Sequence, residues 1–181
     1  KVILYGGAQN EGTGGGGAYS SVEQYDPGSG TWSLRGPMPN VKISHSATNL
    51  GDGTVLIAGG RESGWNSQAL LHDLSTDGYT TLPNMPTVRA QHETIALSTG
   101  NVLVLGGTNN SYSTTNTTAL YNRAGKTWTS GPNMKYTRQD PRIVSYGPGK
   151  WLIMGGFGRL GGTGSGDANL STTEIYDEVA N

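Results

Sequence analysis

The 181-residue sequence has no cysteine. Disulfide staples, thiolate metal sites and thiol nucleophiles are therefore excluded within it. Charge is also sparse: 14% of residues are charged, and 12 Lys and Arg balance 13 Asp and Glu to a net charge of −1. No global field draws the chain to nucleic acid or an anionic membrane, so nucleic-acid binding is not expected. No apolar run approaches the ~18–20 residues that span a bilayer, so no membrane insertion is expected. The opening "KVILYGG" has no cleavage-type segment and does not read as a signal peptide. No window sustains a helical apolar period, which predicts essentially no helix.

Catalytic strings are as scarce. Neither GxSxG nor HExxH occurs. "GTGGGG" (Gly12, Gly14, Gly17) and "GFGRLG" (Gly156, Gly158, Gly161) satisfy the dinucleotide GxGxxG pattern. That fingerprint needs a following helix to hold the pyrophosphate, and none is expected here, so both read as loop glycines. "GKT" at 125–127 lacks the first P-loop glycine.

Glycine, by contrast, is abundant, at 30 residues, and Ser and Thr are plentiful. This mixture favours tight turns and pleated strands. Four apolar runs, "KVILYGG", "TVLIAGG", "NVLVLGG" and "WLIMGG", end in glycine doublets at Gly6–Gly7, Gly59–Gly60, Gly106–Gly107 and Gly155–Gly156. From Tyr25 to Gly60, His72 to Gly107 and Tyr121 to Gly156 the spacing is 35 each time. An aromatic follows seven residues after the first of each pair (Trp32, Tyr79, Trp128), a methionine six later (Met38, Met85, Met134), and a cation four beyond that (Lys42, Arg89, Arg138). All length variation falls between each doublet and the next aromatic–acid pair, at 18, 12, 14 and 20 residues.

Each period holds four strand-like segments, A to D from inside to outside; in the third copy they are about 88–97, 101–106, 117–121 and 126–130. Strand B is apolar on both faces, as a strand buried between stacked sheets should be. Repeats of ~45–50 residues with four short antiparallel strands read as propeller blades. The predicted units are a partial blade B–C–D at 1–35, blades at 41–82 and 88–130, and a partial blade A–B–C at 138–181, or 14 strands in all. An open arrangement exposes two sheet edges and two apolar faces, so further blades in the same or another chain are expected. The doublet glycines are expected to be architectural, because side chains there would clash and positive φ would strain them.

The doublet after an apolar strand, the later Tyr-Asp and the Trp seven residues on resemble the kelch repeat; "SVEQYDPGSGTWSLRGPMP" with "HSATNLGDGTVLIAGG" is similar to it over nearly the whole chain. Departures are His72 for Tyr, Tyr79 for Trp, and Pro141 where the other copies have His45 and His92. The fold class expected is all-β, a segment of about four blades of a kelch-type β-propeller.

Connections B–C and D–A should share one face, where insertions on a rigid scaffold carry binding residues. Trp65, Tyr112, Tyr19 and Phe157 lie in the B–C segments 8–20, 61–71, 108–120 and 157–175. An exposed Trp65 is suited to stacking on a sugar or anchoring a peptide; packing against a neighbouring loop is the plainer role. Lys42, Arg89 and Arg138 share a register at the start of strand A, and are expected to ring the channel mouth and suit an acidic ligand. Bonding loop carbonyls is their structural alternative. His45 and His92 read as satisfied structural histidines, and His72 and Trp151 as packing residues. Sequons start at Asn109, Asn116 and Asn169, in or beside B–C segments, which fits solvent exposure and secretion.

The function expected is a non-catalytic module binding a peptide or glycan on the B–C/D–A face, without cofactor or metal. Two alternatives stay open. The resemblance extends to galactose-oxidase-like enzymes, which implies a copper site built from a Tyr crosslinked to Cys, a second Tyr and two His. The missing cysteine prevents that crosslink within this segment. The chain also fits a structural module of an extracellular assembly. Its style points outside the cell, a cytoplasmic adaptor being the alternative.

Overall fold

The computed structural model describes residues 1–9, 17–160 and 166–180. Among these the chain is all-β, without a helix. Gly12, Gly14 and Gly161 of the two GxGxxG strings, and part of the first and fourth B–C segments, lie outside the described residues.

Four antiparallel sheets follow one another along the chain. The first comprises β1 (Val2–Ala8), β2 (Ala18–Asp26) and β3 (Thr31–Leu34). The second has four strands in sequence order, β4 (Ser46–Asn49), β5 (Thr54–Ala58), β6 (Ala69–Asp73) and β7 (Gly78–Leu82). The third repeats it with β8 (Glu93–Ala96), β9 (Val102–Leu105), β10 (Thr118–Asn122) and β11 (Thr127–Ser130). A short strand β12 (Thr137–Gln139) precedes the fourth sheet, made of β13 (Arg142–Gly147), β14 (Lys150–Met154) and β17 (Thr173–Asp177). The sheets do not close on themselves, as in a partial propeller.

The core lies between successive sheets rather than within any one. Val22 and Met38 of the first repeat pack with Val55, Ile57 and Leu70 of the second. Leu56, Ala69 and Leu82 meet Val102 and Tyr121, and Ile95, Leu103 and Leu105 meet Ile153. This is why β5 and β9 read as unbroken apolar runs: both of their faces are covered. Inner strands are also joined laterally, with Ser46 Oγ 2.9 Å from His92 Nε2 and the Thr48 hydroxyl donating to Thr94 at 2.7 Å.

The doublets have separate jobs. A Cβ on Gly59 would stand 2.5 Å from the Arg89 carbonyl oxygen of the next sheet, whereas one on Gly60 would stand 2.7 Å from the Ile43 carbonyl oxygen leading into its own sheet. Both have positive φ, +63° and +89°, as do the other three doublets. At Gly59–Gly60, and likewise at Gly106–Gly107, the first glycine thus seats the neighbouring sheet and the second seats the inner strand. Gly7, by contrast, has nothing among the described residues within 4 Å of its Cβ position, and Gly155 only the Leu170 carbonyl oxygen at 3.4 Å.

Two features differ from the 14-strand reading. A small sheet of β12, β15 (Phe157–Arg159) and β16 (Ala168–Asn169) stands beside the fourth sheet, bringing the described strands to 17. Its counterparts elsewhere are single bridges, Ile43 to Arg61 to Trp65 and Ala90 to Thr108 to Thr114. The longest B–C segment pairs with the approach to strand A more fully than the shorter ones do. His72 is also more than packing: its Nδ1 lies 2.8 Å from Tyr5 Oη, its Nε2 3.2 Å from Asp77 Oδ1, and its ring stacks on Tyr79 at 4.3 Å.

Candidate ligand-binding face

The bridges from Ile43 to Arg61 and from Ala90 to Thr108, together with the pairing of β12 with β15, tie every approach to strand A to the start of a B–C segment. D–A and B–C connections therefore share one face. The rim between them is organised by one residue per sheet. Ser44, Gln91 and Asp140 each stand two positions after the cation that recurs in each repeat and hold left-handed φ angles of 53°, 57° and 48°. The Gln91 amide donates to the Ser44 carbonyl at 2.9 Å, and the Asp140 amide to the Gln91 carbonyl at 2.9 Å. A backbone ladder thus runs from sheet to sheet, and the left-handed turn that makes it is strained at Ser and Gln.

Beside this ladder opens a cavity of about 380 Å³ lined by Gly7, Ala8, Ile43, Ser44, Gln91 and Asp140. Side chains extend the ladder outward. The Trp65 indole N–H donates to Thr108 Oγ1 at 3.2 Å, and that hydroxyl lies 3.2 Å from Gln91 Oε1. The Gln91 amide nitrogen donates to Asp140 Oδ2 at 3.1 Å. Trp65 is half-buried, with Tyr112 edge-on at 4.4 Å and the Arg61 guanidinium 5.3 Å over its ring. It is the post that holds Tyr112 out: Tyr112 is 72% exposed and itself at φ 56°. Tyr19 and Phe157 are also exposed.

The cations are placed differently from the sequence expectation. Lys42, Arg89 and Arg138 do not ring an open mouth; their exposures are 0%, 1% and 0%. Arg89 donates to the carbonyls of Gly106 and Thr117 at 2.9 Å each and to the hydroxyls of Thr87 and Thr117. Arg138 donates to the carbonyls of Gly155 and Thr172 and to the Thr172 hydroxyl, and adds an ion pair with the Glu174 carboxylate at 2.9 Å. Each guanidinium takes the carbonyl that the glycine turn frees at the end of strand B, Gly106 or Gly155, together with the Thr117 or Thr172 carbonyl just before strand C, which also accepts that glycine's amide. Lys42 reaches only Gly59 O at 3.3 Å and Asn66 Oδ1 at 3.5 Å, and burial lowers its pKa.

The histidines are only half satisfied. His92 Nε2 meets Ser46, but the Nδ1 atoms of both His45 and His92 are buried without a partner. Burial, reinforced by the neighbouring cations, pushes their pKa values down to about 4 and about 3. Among the described residues no three His, Asp or Glu side chains cluster at metal-binding distance. Among the sequons, Asn169 is exposed, while Asn109 spends its carbonyl on the amides of Ser111 and Ser113. Asn116 is closed: its amide donates to Met134 O, and the Thr118 hydroxyl donates to Pro132 O.

Sequence reasoning singled out Trp65 and Tyr112, which stand on this face, and passed over Ser44, Gln91, Asp140 and Thr108. Their one signal was register, two residues beyond the repeated cation, since their types have nothing in common. No known family model matches the chain, and no curated protein matches it.

Proposed function

We propose that this chain is a non-catalytic ligand-binding module of kelch-repeat type, taking a peptide or glycan on the face shared by the B–C and D–A connections. One observation carries the reading: three successive sheets place a polar residue in left-handed conformation at the same register, around one cavity. Strain of this kind costs about 1–3 kcal/mol per residue and tends to gather where function over-determines the backbone. The exposed Tyr112, Tyr19 and Phe157 around it supply rigid contact area at small entropic cost. The module works outside the cell, where Asn169 is open to glycosylation. Further blades, in the same chain or another, cover its open sheet edges.

The test separates strain from stability. Ser44→Gly and Gln91→Gly relax the left-handed turn and should leave the fold as stable or up to about 1 kcal/mol more stable. Both should weaken capture of ligands selected from peptide and glycan arrays. If the glycine variants bind every selected ligand as the parent does, the ladder is scaffolding and the reading fails.

A further inference from the structure

Resting on that reading, we infer that the group admitted at the channel mouth is a cation: the ammonium or guanidinium head of a lysine or arginine side chain in a bound peptide. The cations of this face are all engaged. Lys42, Arg89 and Arg138 are turned into the protein, Arg142 pairs with Glu93 at 3.3 Å, Arg159 with Asp167 at 2.9 Å, and Arg61 lies over Trp65. What the cavity presents instead is the Asp140 carboxylate, with no ion-pair partner among the described residues. Gln91 and Gln139 both donate to its Oδ2, at 3.1 and 3.4 Å, so Oδ1 has no protein donor among the described residues. Glu93 adds a second carboxylate, whose pKa burial raises, with the Asp140 charge contributing. Arg142 is taken up by Glu93, so Asp140 is the rim carboxylate left without an ion pair among the described residues.

The lining also matches the shape of such a side chain. Gly7, Ala8 and Ile43 offer an apolar wall, and Ser44, Gln91 and Asp140 a polar one. An aliphatic stem ending in a charged head covers both; a uniformly hydroxylated sugar would leave the apolar wall unmatched. Gln91 is held by Thr108, which Trp65 holds in turn, so the carboxylate is aimed before the ligand arrives.

The experiment selects a phage-displayed random peptide pool on the intact protein. Fluorescence anisotropy then compares a selected peptide with its copy carrying norleucine in place of the basic residue. Asp140→Asn is the protein variant, because Asn tolerates the left-handed φ and removes only the charge. Selected peptides should share a Lys or Arg. Norleucine and Asp140→Asn should each weaken binding about tenfold, their effects should not multiply, and salt should weaken the parent complex. Selected peptides without a basic residue, or affinity unchanged in Asp140→Asn, would overturn the cation while leaving the face intact. Binding of neutral glycans alone, lost in Gln91→Gly, would also overturn it and keep the broader reading. Binding untouched by Gln91→Gly, Ser44→Gly and Asp140→Asn alike would remove both.

Discussion

Lys42 is the poor member of the buried cation series. Arg89 and Arg138 each make four hydrogen bonds, whereas Lys42 makes two long ones at 3.3 and 3.5 Å. An ammonium cannot fork between two carbonyls as a guanidinium does. Lys42→Arg should therefore stabilise the fold by about 1 kcal/mol, seen as a higher urea midpoint with unchanged slope. Arg89→Met should cost about 3 kcal/mol or more, because it strands the buried Gly106 carbonyl and removes the bonds to Thr117 and Thr87. This placement was not legible in the sequence. Register showed that the three cations are equivalent, but an arginine facing solvent and one facing carbonyls are spelled alike. The histidines give a pH dependence at the same scale. A proton binds His45 and His92 more weakly in the folded state, at pKa about 4 and about 3, than at the ordinary 6.5 of the unfolded chain. Their contribution is full above pH 6.5 and is lost as pH falls toward 4, at up to about 1.4 kcal/mol per unit for each. Melting temperature should hold steady from pH 8 to 7 and drop below 6.5, and His92→Gln should flatten the drop. An equal slope in that variant would assign the acid sensitivity elsewhere.

At the scale of the strand and its turn, the glycine doublet separates two costs that sequence cannot tell apart. Gly51 and Gly60 have similar φ, +80° and +89°, but only Gly60 has atoms in the way of a Cβ: Ile43 O at 2.7 Å and His45 Cβ at 2.8 Å. Gly51→Ala should therefore cost about 1–2 kcal/mol from conformation alone. Gly60→Ala should cost more than about 3 kcal/mol, because the inner strand must move off it. Equal losses by denaturant melting would mean that the close approach is not what holds the doublet. The strands themselves were legible, since β5 beyond Thr54 and all of β9 are apolar and run straight into a glycine doublet, and the spacing of 35 residues fixed their order. The β12–β15–β16 sheet was not, because its strands are two or three residues long and arise from pairing between distant segments. The ladder through Ser44, Gln91 and Asp140 escaped for a related reason: left-handed φ announces itself when the residue is Gly or Asn, and here it is neither.

For the molecule as a whole, internal junctions show what the two outer sheets lack. The Trp128 indole donates to Pro83 O of the preceding repeat at 2.9 Å, and the Tyr79 hydroxyl to Gly36 O at 3.4 Å. Trp32 occupies the same register in the first sheet, yet it is exposed together with Val2, Leu4 and Leu34. The fourth sheet exposes Val144, Tyr146 and Ile175 in the same way, and β1 and β17 each have a strand on one side only. Apolar faces bounded by open strand edges attract whatever strand or sheet is near, and in a pure solution that is another copy. The 181-residue chain should therefore associate as its concentration rises, with sedimentation coefficients increasing across the micromolar range. Leu4→Lys and Ile175→Lys, placed at exposed positions on those edges, should each reduce the association without lowering the melting temperature of the monomer. Loss of association from both variants would locate the contact at the outer sheets. Association untouched by either would move it to the ligand-binding face, where the remaining exposed aromatics, Tyr19, Tyr112 and Phe157, are gathered.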